Sequence, residues 1–175
     1  VIAIEHAIRD LRPLWIEEPV ASEDMAALSR IRRHFQVPIA LGERLFTRWQ
    51  FKQVLSRGWV DIIQPDVCIA GGIWPTRLVA ALAQAHGTEC ILHGTNGPDL
   101  AASLQVAATI PSCRMMEVAL IFPPLTPKEM YSPLTRILNS DYLFKFEKGK
   151  IILPTAPGLG VEINEDALAK CKIIG

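Results

Sequence analysis

A unit of about 25 residues recurs along this chain, each copy holding a short β-favouring run, a turn and a stretch of helical period. The runs PLWIEEP, VPIALGE, VDIIQPD and TECILHG are each followed by a helical pattern: SEDMAALSRIRRHF, TRWQFKQVLSRG, PTRLVAALAQAHG and PDLAASLQVAATI in turn. A fifth run, RMMEVAL, comes after the last of these. Strands and helices that alternate through such short loops leave few options. Successive strands must lie parallel, with the helices packed outside them, because a parallel pair needs a crossover and the helix is that crossover. The expected class is therefore α/β, with about five βα units.

Punctuation agrees with the period. Ser22-Glu23-Asp24 reads as an N-terminal cap, Pro75 opens one helix and Gly87 closes it. At the start, VIAIEHAIRDL already has Ile4, Ala7, Ile8 and Leu11 at helical spacing, so the chain is expected to begin in mid-architecture. Near the end, YLFKFEKGKIILPTAPGLGVEI has alternating β character around Gly149 and turns again at Pro157-Gly158. Residues 1–140 are thus expected to form the βα array, and residues 141–175 a β segment and tail that leave it.

Composition narrows the function. The 175 residues carry 18 basic and 18 acidic side chains, and no basic run or basic-aromatic stripe occurs, which argues against a nucleic-acid partner. Apolar stretches are interrupted well short of the roughly 18–20 residues that span a bilayer, and no signal-peptide pattern opens the chain. A soluble, cytoplasmic protein without a membrane partner is expected. Cys68, Cys90, Cys113 and Cys171 never approach C-x-x-C spacing, so neither zinc nor a disulfide framework is implied.

Chemistry enters at the strand ends. In a parallel βα array the C-terminal ends of the strands face the mouth where ligands bind. Those ends carry Glu17 and Glu18, then Glu43, Asp66, His93 and Glu117. Buried carboxylates are costly unless paired, hydrogen-bonded or bound to a cation, so five consecutive runs ending in ionisable groups point to one convergent site. Carboxylates on neighbouring strands, Glu17 or Glu18 with Glu43, suit a hard cation such as Mg2+. Asp66 beside His93 is the pattern in which a carboxylate orients an imidazole for general base work, and Glu117, if protonated, could donate to a developing oxyanion. Glu18 and Arg44 are expected as salt-bridging neighbours, and His6, His34 and His86 as surface residues. Gly71-Gly72 lacks the context of a phosphate loop, and the competing reading of Asp66 is an aspartate that merely caps a loop.

Taken in order on consecutive strands, WIEEP, LGE, QPD with GG, LHG and MEV resemble the second half of the barrel in the mandelate racemase branch of the enolase superfamily. ALGERLFTRWQFKQVLSRG, DIIQPDVCIAGGI and PGLGVEINEDALAK are most similar to galactonate dehydratase and related acid-sugar dehydratases, whereas the loop HGTNGPDLAASLQ departs from them. The resemblance implies the C-terminal portion of a TIM-type (β/α)7β barrel, with a tail that returns to an N-terminal capping domain. It implies Glu17 and Glu43 as Mg2+ ligands, His93 as the base paired to Asp66, and Glu117 in contact with the substrate carboxylate. The third metal ligand and the opposing basic residues would lie on earlier strands. The implied reaction is dehydration of a sugar acid to a 2-keto-3-deoxy acid through α-proton abstraction and an enediolate. Racemisation, epimerisation or cycloisomerisation is the alternative within the superfamily, and a homo-oligomer is implied for the full-length form. A reading of another class is an inactive fragment serving only within a larger assembly, because open barrel edges and apolar tail positions such as Phe144, Phe146, Ile151 and Leu153 would then be exposed.

Overall fold

Apolar runs too short for helices and punctuated by turns become, in the computed structural model, a parallel sheet; the structure describes residues 1–94, 97–118, 137–139 and 145–171. Strands β1 (Ile16–Glu17), β2 (Ile39–Leu41), β3 (Ile62–Ile63) and β4 (Glu89–Cys90) pair in chain order, all parallel. Helices α1 (Ile2–Ile8), α2 (Met25–Arg32), α3 (Arg48–Ser56), α4 (Ile73–Ala85) and α5 (Gly97–Ala107) alternate with them. The strands are short, yet single parallel bonds carry the pairing onward: Glu18 N to Ala40 O, Gln64 N to Leu41 O, and His93 N to Pro65 O. These extensions bring the polar strand ends level with one another. The main core lies between sheet and helices, with Phe51, Val54, Ile63, Val79 and Leu92 all fully enclosed.

Local details sharpen the expectations. Of Ser22-Glu23-Asp24, Asp24 is the cap, its carboxylate accepting from Ala27 N at 2.8 Å. The first helix forms as expected over Ile2–Ile8, but its apolar stripe is not what it buries. Ile4 is 62% exposed and Leu11 80%, whereas Glu5 is fully enclosed. The Glu5 carboxylate accepts from the backbone N–H groups of Gln36 and Val37 at 3.0 and 3.2 Å and pairs with Arg9 at 2.5 Å, so satisfied hydrogen bonds outweigh hydrophobic spacing here.

The fifth run differs too. Residues 114–118 form no strand ladder, and the rest of RMMEVAL lies outside the described residues. At the end of the preceding strand, the Gly94 N–H donates to the Glu117 side chain at 2.8 Å. The tail forms a separate antiparallel hairpin, β5 (Phe146–Glu147) and β6 (Lys150–Ile151), around Lys148-Gly149. A short helix α6 (Glu165–Ala169) closes it, and Leu159 and Val161 pack near Ala101 and Leu138. Phe146 and Leu153 are exposed; Phe144 lies outside the described residues. Among the described residues no helix is long and apolar enough to cross a membrane.

Candidate active site

Glu43, Asp66 and His93 come from three adjacent strand ends and meet in a line. The Nδ1 of His93 stands 2.9 Å from Asp66 Oδ2, and its Nε2 stands 2.8 Å from Glu43 Oε2. Asp66, 6% exposed, divides its two oxygens between two tasks. Oδ1 accepts from the backbone N–H groups of Cys68 and Ile69 at 2.7 and 2.9 Å, which fixes the carboxylate on its own loop, while Oδ2 faces the imidazole. Asp66 thus holds its own loop with one oxygen and contacts the imidazole with the other.

Electrostatics follow from that geometry. Partial burial pulls the His93 pKa down, but the hydrogen bond to Asp66 and the negative charges of Glu43 and Glu117 outweigh it and hold the ring above its ordinary value. A ring with a carboxylate oxygen against each nitrogen is most stable as the imidazolium. Gly94 brings Glu117 close to it. A Cβ at position 94 would come within 2.8 Å of Glu117 Cγ and 3.1 Å of its carbonyl carbon, so only glycine lets that side chain lie against the strand end.

On the other side, Glu17, Glu18 and Glu43 gather three carboxylates. Burial raises the Glu18 pKa, the Glu43 and Glu17 charges raise it further, and Arg44 works against them. Arg44 Nε lies 3.1 Å from Glu43 Oε1 and 3.4 Å from Glu18 Oε2, the salt-bridging place expected for this pair. Glu18 itself has φ 38, a left-handed conformation uncommon outside glycine. Its Oε1 is buried with no hydrogen-bond partner among the described residues.

Glu17 is exposed, accepting from Gln64 Nε2 at 2.9 Å and, more distantly, from Trp15 Nε1 at 3.4 Å. Among the described residues no group of three His, Cys, Asp or Glu side chains is arranged to hold a metal ion by itself. Two acidic side chains are nevertheless enough protein ligands for Mg2+, which keeps waters and substrate oxygens in its other positions. The surplus of negative charge and the unpartnered Glu18 oxygen fit a hard cation at this place.

The structure thus joins Glu43, Asp66, His93 and Glu117 into one cluster and sets Glu17 beside Gln64. Gln64 and Asp99 were not singled out by the sequence reading. A glutamine ending the buried run DIIQ was the available signal for the first. For the second there was none: Cys68 Sγ, on the turn after β3, donates to Asp99 Oδ1 in the first turn of α5 at 2.6 Å, between segments distant in sequence. His6, His34 and His86 are exposed, as expected, and all four cysteines are free thiols.

A family model described as Enolase C-terminal domain-like matches residues 1–167. The chain is 36% identical over 163 residues to D-galactonate dehydratase of Variovorax paradoxus, and 37% identical over 162 residues to D-galactarolactone cycloisomerase of Agrobacterium fabrum. These alignments cover 93% and 91% of the chain but only 42% of either relative, so the chain spans well under half their length. A solved enolase-superfamily structure from Salmonella Typhimurium superposes with a TM-score of 0.84 at 28% identity, covering 97% of this chain and 41% of that one.

Proposed function

The chain belongs to the Enolase C-terminal domain-like family, and from that premise we propose that it forms the C-terminal part of a larger Mg2+-dependent dehydratase acting on a sugar acid. The observation that carries this reading is the single line Asp66–His93–Glu43, a base with its orienting carboxylate on one side and a candidate metal ligand on the other.

Glu17 and Glu43 are the residues that would hold the cation. Bound there, Mg2+ would polarise the substrate carboxylate and acidify the adjacent C–H. The residues of the chain do the rest. Asp66 keeps a proton on His93 Nδ1, so that the neutral ring presents its lone pair at Nε2. For Nε2 to take the α-proton, the imidazolium first has to release its Nε2 proton and the contact with Glu43 has to open, which frees a Glu43 oxygen. Glu117, anchored through Oε2 by the Gly94 amide, would have to carry a proton on Oε1 to meet the developing oxyanion. A general acid must supply the proton that accompanies the departing β-hydroxyl.

The similarity to a D-galactarolactone cycloisomerase favours a second reading, isomerisation of a sugar-acid lactone by the same proton abstraction. One experiment separates the two. The longest polypeptide carrying this chain is incubated with Mg2+ and panels of aldonates, aldarates and aldarolactones, and products are followed by NMR in deuterium oxide. A 2-keto-3-deoxy acid supports dehydration; isomerised lactone supports the alternative. The absence of α-proton exchange with every substrate would remove both and leave the reading of an inactive fragment. The proposal extends to a homo-oligomer, which light scattering of the same protein tests, and to residues 141–175 packing on a capping domain.

A further inference from the structure

Gln64 is 1% exposed at the end of a strand whose neighbours Ile62 and Ile63 are also buried, a place where an aliphatic side chain would serve packing at no polar cost. Its side chain reaches past the intervening β2 to β1, 47 residues away in sequence, and donates from Nε2 to Glu17 Oε2 at 2.9 Å. The reverse amide orientation would set an oxygen against the Glu17 carboxylate, so the charge dictates which way the amide faces. In this orientation Oε1 is buried with no partner among the described residues. A glutamine whose role was structural would satisfy both ends. This one spends its amide N–H on Glu17 and leaves Oε1 buried and unpartnered.

The backbone makes room for it. Gly42 on the neighbouring strand has φ 151, and a Cβ there would come within 2.8 Å of Gln64 N and 3.0 Å of its carbonyl carbon. Any side chain at 42 would push Gln64 away from Glu17.

We propose that Gln64 is the positioning residue for Glu17, holding that carboxylate in the orientation from which it binds the divalent cation. The inference rests on the metal reading given above. Apart from the longer Trp15 contact, nothing else described holds the Glu17 carboxylate, and groups that fix metal ligands from behind change metal affinity about 10–100-fold when removed.

The test is calorimetric titration with Mg2+ alone, without substrate, on the longest polypeptide carrying this chain. Gln64→Met keeps the shape and cannot donate; Gln64→Asn keeps the amide and is too short to reach. Val79→Ala, a buried truncation on α4, controls for general loosening. The expected result is Mg2+ binding that is lost in Glu17→Gln, weakened about 10–100-fold in both Gln64 variants and unchanged in Val79→Ala, with metal-free circular dichroism alike in all. Affinity within threefold of wild type in either folded Gln64 variant, while Glu17→Gln abolishes binding, overturns the proposal and leaves the metal reading standing. Binding indifferent to Glu17→Gln overturns both. Failure of both Gln64 variants to fold also counts against the proposal, since it would make Gln64 a packing residue.

Discussion

Asp66 offers a perturbation whose two consequences can be told apart, because its oxygens serve different partners. In Asp66→Asn the side-chain carbonyl can take the place of Oδ1 and keep the N–H groups of Cys68 and Ile69 satisfied, while the amide nitrogen replaces Oδ2 against His93. One hydrogen bond with a charged partner is then lost, worth about 1.5–3 kcal/mol. The amide also donates where the carboxylate accepted, so Nδ1 must give up its proton and Nε2 must carry it, which removes the lone pair that would act as base. Asp66→Ala differs: both loop amides and the ring lose their acceptor, and three stranded, part-buried donors at about 1–3 kcal/mol each bring the cost to about 3–9 kcal/mol. Denaturant unfolding of wild type and both variants, with NMR of α-proton exchange in deuterium oxide, measures the two effects together. The expectation is a small stability loss for Asn and a large one for Ala, with exchange slowed by about 100-fold or more in both. Equal destabilisation by the two variants, or exchange retained in Asp66→Asn, would refute the division of labour between the oxygens.

Gly94→Ala should cost about 1–3 kcal/mol by overpacking against Glu117, and activity should fall further than stability because the Glu117 side chain is displaced from His93; kcat set beside the unfolding midpoint shows it. At Glu5, burial opposes ionisation but the Gln36 and Val37 amides and Arg9 prevail, so its pKa in the fold lies below the ordinary glutamate value. Its stabilising contribution is therefore present above that value and is lost as pH falls through the depressed folded pKa, and Glu5→Gln should flatten this part of the acid limb of a stability profile measured between about pH 2 and 6. Burial and Asp99 push the Cys68 thiol up to about 12, so this exposed cysteine should alkylate slowly at pH 8, and Asp99→Asn should speed its reaction with iodoacetamide, read by mass spectrometry.

Parallel βα order was legible in the residues themselves, because strand and helix periods are local and short loops leave one way to join them. The same logic brought Asp66 beside His93 before any coordinates, since consecutive units put consecutive strand ends side by side. Three features needed the tertiary structure. Helical spacing could not show that α1 buries Glu5 and exposes Ile4, because the deciding partners are amides some 30 residues away. A β-favouring run could not show that residues 114–118 would form no ladder, nor that the Glu117 carboxylate would accept from the Gly94 amide. Nor could periodicity reveal Gln64 reaching past a whole strand to Glu17: the chain order specifies which strand ends are neighbours, but side-chain length, rotamer and the space left by a glycine on the strand between decide which of them touch.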